Sequence, residues 1–398
     1  MNVLFVSMLG IDLKEGGIYS DLINALLNSG HKVFLVDDQP IKNIDKKHKN
    51  LIIISTGISI TKFKNRYIKG LISLVLEFII MFTMKFKLSH ESIDLLLYAT
   101  PPIMYTHILK FCKKRYRCMT FLMLKDIFPQ NAVDEGILTS DSIMYKYFRR
   151  KEKELYHLSD YIGCMSAENI RYLLTNNSEI NEDKVILFPN SIQLQSYKLR
   201  KQSIDKLRER LGIDKNKIVF VFAGNLGIAQ GIPFLTKVIR AVANHPNIVF
   251  LIVGQGTHAE SLKELAKTQK NVLFLDKLSK KKYSLLLALC DVGIVSLGHM
   301  YTIPNYPSRI LSYMEAALPI VAFTDKVTDI RSLVEKEAKC GFWSPADNLK
   351  AAVNKIEFLS SDEKLRTWMG QNGRRYCKKH FDVNKNVKIL ESIYKKST

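Results

Sequence analysis

Short apolar runs alternate with longer amphipathic stretches along the whole chain. In the first half, helical stretches such as Ser20 to Ser29 and Met144 to His157 separate the apolar runs. The strand-like runs lie at residues 2–7, 32–37, 51–56, 94–100, 119–124, 160–166 and 184–189. Near-continuous apolar runs of this length are typical of strands that are buried on both faces of a parallel sheet. The alternation therefore predicts a doubly wound α/β domain.

A polar, charged stretch from Gln193 to Arg210 interrupts this pattern, which then restarts. The later strand-like runs lie at residues 218–224, 248–254, 271–276, 292–297 and 319–325. A chain of 398 residues is long enough for two ordinary domains. We predict two Rossmann-like domains, residues 1–195 and 203–375, that face each other across a cleft, with a linker near residues 193–203.

The C-terminal segment has a basic helical pattern and no strand to accompany it. We expect this helix, residues 381–398, to pack back on the first domain.

Composition narrows the class of protein. Hydrophobic residues make up 47% of the chain and charged residues 24%, as in folded globular proteins. The net charge of +21 favours a polyanionic partner, which is nucleic acid, an anionic membrane surface or a phosphorylated substrate. The plain alternative is a Lys-rich chain with solvated faces.

Six scattered cysteines without metal-ligand spacing predict reduced, mostly buried thiols and a cytoplasmic protein. The N-terminus lacks the charged region of a secretion signal.

The longest apolar stretch runs from Gly70 to Met84 and contains Glu77. It is shorter than the roughly 20 apolar residues that a membrane-spanning helix needs. Basic residues flank it, namely Lys62, Lys64, Arg66 and Lys69 before it and Lys85 and Lys87 after it. Two interpretations stay open: a helix that lies on an anionic membrane leaflet, or a core-facing helix of the first domain.

The first candidate for a phosphate site is the segment FAGNLGIAQG in the second half. Between a strand and a helix lie Gly224, Asn225, Gly227, Gln230 and Gly231. Glycines at such a place let backbone N–H groups approach a diphosphate closely, and a helix N-terminus adds partial positive charge. An ordinary tight turn would use the same residues.

The segment NYPSRILSYMEAALPIVAF supplies the best single candidate, Arg309. Pro307 and Ser308 are favourable residues for a helix start, so Arg309 falls in the first turn. A cation matches the helix dipole poorly there unless an anion lies beside it. Because Arg binds phosphate oxygens through two parallel hydrogen bonds, we predict a phosphate clamp; a solvated surface Arg is the alternative.

Three further segments of the second half are candidates for donor contacts. Gly254, in IVGQG, resembles a dinucleotide fingerprint only weakly, and we interpret it as a turn that lines the cleft. The backbone at Lys277 and Leu278 follows a strand and is placed to bind a base edge, although a plain loop fits equally well. His299, just before the Arg309 segment, is a weaker candidate for the sugar pocket.

In the first half, Gly16 and Gly17 lie between a strand and a helix, where a substrate can approach the backbone. Asp126 ends a strand before a Pro-containing loop, and it either contacts a sugar hydroxyl, acts as general base or caps a turn. His31 and His157 are interpreted as structural. The chain has no D-x-D sequence. We therefore expect no metal ion and no other cofactor to hold the diphosphate.

These segments, taken in order, resemble glycosyltransferase family 4, in particular the capsule and O-antigen branch with N-acetylfucosaminyltransferases. The resemblance covers nearly the whole chain and rests on KDIFPQNAVDEG, FPNSIQ, FAGNLGIAQG, IVGQG, FLDKLSK and YPSRILSYMEAALPIVA. It implies a GT-B fold, retention of configuration, and a nucleotide-sugar donor bound mainly by the C-terminal domain. It also implies that Arg309 grips the diphosphate, that Gly16 and Gly17 lie under the donor phosphates, and that Lys277 and Leu278 contact the base.

The chain departs from the family pattern at several positions. Asn225 and Gln230 stand where the family has Arg and Lys, which removes two cations. The family's paired glutamates would fall on Pro304 and Ser312, so that pair is absent, and Glu315 is out of register.

The resulting expectation is a metal-independent, retaining transferase, peripheral on the inner face of the cell membrane. It would move an N-acetylated hexosamine or deoxyhexosamine from a UDP-sugar to a polyprenyl-diphosphate-linked acceptor in capsule or O-antigen synthesis. A nucleotide-sugar epimerase on the same scaffold is the alternative. A nucleic-acid-binding protein is disfavoured, because no helix-turn-helix or aromatic-and-basic stacking motif is present.

Overall fold

The computed structural model describes residues 1–7, 10–13, 16–37, 49–57, 66–195 and 201–397. Two compact units make up the chain: Met1–Gln193 together with Val383–Thr398, and Leu194–Asp382. Each unit is built on one parallel sheet with helices on its faces. The prediction of two Rossmann-like α/β domains is therefore confirmed. The cleft that was predicted between them stays a prediction.

The first unit contains seven strands in the order β3-β2-β1-β4-β5-β6-β7. They are β1 Asn2–Val6, β2 Lys32–Asp37, β3 Leu51–Ser55, β4 Leu95–Thr100, β5 Met119–Leu124, β6 Tyr161–Cys164 and β7 Val185–Leu187. Its helices before residue 193 are α1 Ile18–Asn28, α2 Arg66–Lys87, α3 Thr106–Tyr116, α4 Gln130–Asp134, α5 Ile143–Leu158 and α6 Ala167–Asn176. Every residue of β4 and β5 is buried, which explains their unbroken apolar runs.

The second unit contains six strands in the order β10-β9-β8-β11-β12-β13. Its elements are α7 Lys201–Arg210, β8 Ile218–Asn225, α8 Ile232–Ala241, β9 Ile248–Gln255, α9 Ala259–Thr268, β10 Val272–Leu275, α10 Lys280–Leu287, β11 Val292–Ser296, α11 Arg309–Glu315, β12 Ile320–Thr324, β13 Gly341–Pro345, α12 Leu349–Ser361 and α13 Glu363–His380. The polar stretch that interrupts the strand pattern contains α7. Strand β13 was not predicted, because its sequence GFWSP is short and only half apolar.

The last helix, α14 Val383–Ser397, packs against α1 and belongs to the first unit. Its buried residues Val383, Val387 and Leu390 join the core beside β1 and β2. The imidazole of His31 lies 2.9 Å from the Glu391 carboxylate and 3.2 Å from the N-terminal amine. The returning C-terminal helix is thus confirmed, and His31 joins it to the sheet.

Buried polar groups of the first unit are paired across elements. The Glu77 carboxylate, on α2, accepts a hydrogen bond from the backbone N–H of His107 at 2.6 Å and lies 2.9 Å from its ring Nδ1. This N–H is one of the donors in the first turn of α3 that have no partner within the helix, and Glu77 accepts its hydrogen bond.

All six cysteines are buried and form no disulfide, as predicted.

The apolar stretch from Gly70 to Met84 lies within α2. Among the helices that the structure describes, none combines the length and the hydropathy needed to cross a bilayer.

The anchor of α14 gives a stability prediction. Asn386 is buried, and its side-chain amide donates to the Pro189 carbonyl and to the Ser191 hydroxyl, both at 2.9 Å. Asn386→Ala leaves both acceptors without this donor, so we expect the free energy of unfolding to fall by about 1–3 kcal/mol. Urea unfolding measures this, with the exposed neighbour Lys388→Ala as control. Equal stability of the two variants would show that the anchor is unimportant.

Candidate active site

The candidate donor-binding residues of the second unit follow the carboxyl ends of neighbouring parallel strands. Gly224 and Asn225 end β8, Gly254 lies near the end of β9, and Lys277 follows β10. His299 follows β11. Because the sheet is parallel, these ends form one edge, which is where open α/β sheets bind ligands. The structure thus brings these predicted residues to one edge of the sheet.

The backbone at the end of β8 is set by Gly254 in β9 and by Gly256 just after that strand. A Cβ atom on Gly254 would lie 2.0 Å from the Gly224 carbonyl oxygen, and one on Gly256 would lie 2.5 Å from the Leu226 carbonyl carbon. Both glycines also have positive φ values, of 155° and 156°. Gly254 is buried, so its role in this structure is to let β8 and β9 approach closely. It supports the Gly224–Gly227 loop from behind.

A 3-10 turn over Ile228–Gln230 continues this loop toward the end of β11. The Ala229 carbonyl accepts a hydrogen bond from the Gly298 N–H at 3.0 Å. Gly231, with φ 58°, has no room for a side chain, because a Cβ would lie 2.6 Å from the Leu297 carbonyl oxygen. The exposed His299, which follows Gly298 in the chain, therefore lies beside the glycine loop.

Arg309 extends from the start of α11 across the end of β8. Its guanidinium carbon lies 4.6 Å from the centre of the Phe222 ring, a cation–π arrangement. Its Nη2 donates to the Gln230 side-chain oxygen and lies 3.5 Å from the Asn225 carbonyl oxygen. A Cβ on Gly224 would lie 3.5 Å from the same nitrogen. The structure thus brings Arg309, Gln230 and the glycine loop together.

The second terminal nitrogen of Arg309, Nη1, is buried and has no hydrogen-bond partner among the described residues. No carboxylate of the described chain forms an ion pair with this guanidinium either. Burial lowers the pKa of Arg309 from its ordinary value, and Tyr313 and Tyr283 partly offset this effect. Leaving a buried charged donor unpaired is costly in free energy. A bound anion such as a phosphate would pair this group.

Tyr313 fixes α11 against β8. Its hydroxyl oxygen accepts a hydrogen bond from the buried Ala223 N–H at 3.1 Å. Its ring lies where a side chain at Gly293 would be, since a Cβ there would come within 2.5 Å of ring atoms. This packing sets the position of Arg309, one turn earlier on the same helix.

The remaining predicted donor residues occupy less enclosed positions. Lys277 is exposed and Leu278 half-buried, in the loop between β10 and α10. Pro307 and Ser308 precede α11, and Ser308 is exposed and makes no side-chain capping bond. Ser312 is half-buried on α11, one turn beyond Arg309.

Glu315 has a structural contact of its own. Its carboxylate accepts a hydrogen bond from the backbone N–H of Gln195 at 2.6 Å. This glutamate therefore holds the segment that enters the second unit, which agrees with its being out of register with the family's glutamate pair.

In the first unit, Asp126 lies just beyond the end of β5. Its side chain forms no hydrogen bond or ion pair with any residue in the described ranges. The pKa of Asp126 is raised to about 6, chiefly by burial and also by the nearby Glu135, while Lys125 acts to lower it. A carboxylate in this range is a stronger base than an ordinary aspartate and suits proton transfer near neutral pH.

Lys125, the neighbour of Asp126, was not among the predicted site residues. Burial lowers the pKa of its amine to about 7, while Cys164 and Asp126 raise it. Its Nζ lies 5.8 Å from the centre of the Phe188 ring. Within the described structure it has no hydrogen-bond acceptor, so the amine is available to an acidic group. The sequence signal available for Lys125 was its position at the end of a strand. Because lysine is common in this chain, that signal did not distinguish Lys125 from the other lysines.

Gly16 and Gly17 precede α1 with φ values of 71° and 141°, which only glycine adopts readily. The Gly17 carbonyl accepts hydrogen bonds from the Asp21 N–H at 2.8 Å and the Ser20 hydroxyl at 3.1 Å. Tyr19 is close enough to Asp126 for that carboxylate to raise its pKa, although burial is the larger cause. The glycine turn and Asp126 thus lie at the same edge of the first sheet.

The loop after Asp126 is held by a buried polar network. Ile127 and Gln130 line a cavity of about 60 Å³ together with Arg149 and Glu152. Arg149 donates to the Glu152 carboxylate at 2.6 Å and to the Asn177 side-chain oxygen at 2.6 Å. The charges of this cavity are thus paired with one another, and its size suits ordered water.

Potential metal ligands are also dispersed. Across the described ranges, no group of three or more His, Cys, Asp or Glu side chains is arranged to hold a metal ion.

Curated relatives share much of the sequence pattern. A probable glycosyltransferase of Pseudomonas aeruginosa, WbjE, is 25% identical over 302 residues, which cover 74% of this chain and 72% of that protein. The capsular polysaccharide biosynthesis glycosyltransferase CapM of Staphylococcus aureus is 24% identical over 260 residues, which cover 63% of this chain and 66% of CapM.

Solved structures show the same fold. HepE of Anabaena, determined in complex with UDP-glucose, matches this chain with a TM-score of 0.70 at 18% identity. The match covers 99% of each of the two chains. WaaG, a glycosyltransferase involved in lipopolysaccharide biosynthesis, has a TM-score of 0.69 at 14% identity, over 98% of this chain and 99% of its own. The two-sheet fold is therefore the GT-B fold of these enzymes.

The family model for glycosyl transferases group 1 matches residues 203–376, which span the glycine loop, Arg309 and the whole second sheet. This part of the chain is therefore similar to the glycosyl transferases group 1.

Proposed function

We propose that the chain is a metal-independent, retaining glycosyltransferase of bacterial capsule or O-antigen synthesis. It moves an N-acetylated hexosamine or deoxyhexosamine from a UDP-sugar to a polyprenyl-diphosphate-linked acceptor. The C-terminal domain binds the donor and the N-terminal domain binds the acceptor. The family match and the curated names of its relatives support the transferase and the polysaccharide pathway.

The observation that carries the proposal is the unpaired, buried Nη1 of Arg309 beside the glycine loop. A diphosphate is the anion that we propose, because one guanidinium nitrogen and the backbone N–H of Gly227 can share its oxygens. The N–H of Leu226, in the same loop, donates to the Gln255 carbonyl at 2.9 Å and takes no part. UDP is the nucleotide we propose, since HepE, which shares the fold, was solved with UDP and UDP-glucose.

The reaction breaks the bond between the sugar's anomeric carbon and the diphosphate oxygen. Negative charge then develops on the leaving diphosphate, and Arg309 stabilises it. The acceptor hydroxyl attacks from the face that the diphosphate leaves, which retains the configuration. Asp126 accepts the proton of that hydroxyl.

The acceptor proposal rests on charge and on relatives. A polyprenyl-diphosphate acceptor is anionic and sits in a membrane, which suits a chain with a net charge of +21. CapM acts in capsular polysaccharide biosynthesis by its name. We accordingly propose a peripheral position on the inner face of the cell membrane.

Replacing Arg309 tests the donor site. Arg309→Ala removes one charged donor to the leaving group, which is worth about 3 kcal/mol in the barrier. We expect turnover to fall about a hundredfold and UDP affinity, measured by calorimetry, to fall as well. Arg309→Lys keeps the charge without the planar fork and should recover only part of the affinity.

Arg331→Ala is the matched control, because Arg331 also stacks on an aromatic ring of the second unit, Trp343, at 5.0 Å. It pairs with Glu335 and lies outside the proposed site. Unchanged turnover and UDP affinity in Arg309→Ala, with a folded protein, would remove the clamp from the proposal.

The raised pKa of Asp126 predicts a pH profile. The base must be ionised, so kcat/KM should rise with pH through about 6 and level off above it. Glu135 raises this pKa, so Glu135→Gln should move the midpoint to lower pH, whereas Lys125→Met should move it to higher pH. Asp126→Asn should lower the rate by about 10²–10⁴-fold and abolish this limb. A limb that persists in Asp126→Asn would assign it to another group.

Metal independence is tested by chelation. If Arg309 and backbone N–H groups alone hold the diphosphate, transfer by enzyme treated with EDTA should equal transfer by untreated enzyme. Recovery of lost activity on adding Mg²⁺ or Mn²⁺ would contradict the proposal.

A further inference from the structure

Helix α2 has apolar residues on two opposite faces. Leu76, Ile80, Met84 and the following Leu88 are buried against the first unit. On the other side, Val75, Phe78, Phe82 and Phe86 are exposed. At 3.6 residues per turn, these four fall within an arc of about 80° and form one stripe. Phe82 and Phe86 are 59% and 71% exposed, and their rings stack 6.4 Å apart. We call this row the aromatic stripe.

Glu77 fixes which way the stripe faces. Only 1% of this side chain is exposed, and both of its carboxylate oxygens contact His107 at the start of α3. The next residue, Phe78, has its ring 5.2 Å from the imidazole of His107. Rolling α2 to bury the stripe would expose Leu76 and Ile80 and break the Glu77 contacts. The outward position of the stripe is therefore built into the packing.

The surroundings of the stripe are basic. Lys85 and Lys87 are exposed at the end of α2. Helix α3, which packs on α2, carries four cations and no carboxylate: Lys110, Lys113, Lys114 and Arg115. The next helix in the layer, α5, begins with three further exposed hydrophobic residues, Ile143, Met144 and Tyr147. Its exposed cations include Lys146 and Arg150.

The acidic residues of this layer cancel only part of that charge. Lys113 pairs with the Asp160 carboxylate at 2.6 Å. Lys85, Lys87 and Lys114 form no ion pair with any described residue. Glu77 is buried, and Glu152 is buried and bound to Arg149. Glu154 is shared between Lys110 and Lys151, at 2.5 and 3.2 Å. The surface that remains is apolar at the stripe and cationic beside it.

We propose that the aromatic stripe of α2 inserts into an anionic lipid leaflet, with the cations of α2 and α3 on the headgroups. This rests on the proposed membrane association and names the face that carries it. A helix with one apolar outer face and a basic border is the arrangement that lies in the interface plane of anionic membranes. Phe side chains bury apolar area when they enter the leaflet, and they carry no polar group that would need a hydrogen-bond partner there.

A lipid surface fits this face better than a second copy of the chain does. Two copies that met through the stripe would bring the same row of cations together, and like charges disfavour that contact. An anionic leaflet satisfies the apolar and the cationic parts at once. Self-association through the stripe is therefore an outcome that would overturn the proposal.

The test is co-sedimentation of the full chain with vesicles of phosphatidylcholine alone or mixed with phosphatidylglycerol. We expect binding to the mixed vesicles that weakens with salt. The double variant Phe82→Ser/Phe86→Ser should lower the partition coefficient at least about tenfold, because two large apolar side chains no longer leave water. Lys87→Glu/Lys114→Glu should weaken binding to the anionic vesicles only.

The matched control is Phe358→Ser/Trp368→Ser, which removes two aromatic residues of similar exposure, 52% and 49%, from the second unit. This control should bind vesicles as the unmodified chain does. Equal loss in both double variants would mean that aromatic content in general, and not this face, drives binding. Unchanged binding of the Phe82→Ser/Phe86→Ser variant would overturn the proposal. A dimer of the unmodified chain that becomes a monomer in this variant would overturn it as well.

Sugar transfer to a water-soluble acceptor and UDP binding are measured on the same variants. Both should stay unchanged in Phe82→Ser/Phe86→Ser, since the stripe touches no residue of the proposed site. Vesicle binding without transfer would leave the docking face standing and the proposed reaction wrong. Transfer by an unmodified chain that binds no vesicles would leave the transferase standing and remove the membrane face.

Discussion

The proposed site of the second domain depends on one electrostatic constraint: Nη1 of the Arg309 guanidinium is buried without a partner, and the group has no counter-ion among the described residues. Gln230 and Phe222 hold the group through a hydrogen bond and a cation–π contact, but neither carries a negative charge. A buried charge that only neutral groups surround reduces stability until an anion arrives. In the function that we propose, this arrangement holds the guanidinium in place for an anion before any ligand binds.

The glycines around Arg309 serve two different physical purposes. Gly224 has a φ of 122°, which favours glycine, whereas a Cβ there would make only an ordinary contact, at 3.5 Å, with the Arg309 Nη2. Gly254 and Gly256 instead allow two backbones to approach each other, and a side chain at either would collide with main-chain atoms. Glycine is thus required in one case by the backbone conformation and in the other by the close approach of two chains. The same residue type in the sequence therefore has two different structural reasons.

This double use explains how far the sequence could be interpreted. Unbroken apolar runs such as β4 and β5 predicted the parallel sheets, because burial on both faces leaves a signal in the residues themselves. The place of Gly254 behind the loop depends on the pairing of β8 with β9, which no local pattern reveals. The outward face of α2 was not predicted either, because the helix has apolar residues on two opposite sides and the sequence pattern does not say which side is buried. The burial of Leu76 and Ile80 and the contact of Glu77 with His107 show which side it is.

The first domain applies the opposite electrostatic arrangement at Asp126 and Lys125. Burial shifts both groups toward neutrality, raising the pKa of the carboxyl to about 6 and lowering that of the amine to about 7. Both groups then titrate close to physiological pH, so each can exchange a proton at little cost. Arg309 cannot do this, because a guanidinium keeps its proton throughout. A permanent cation suits a leaving diphosphate, whose charge only grows, whereas a titratable pair suits a hydroxyl that must lose a proton. The residue types at the two strand edges therefore suit the roles that we propose for them: leaving-group stabilisation by Arg309 and proton removal by Asp126.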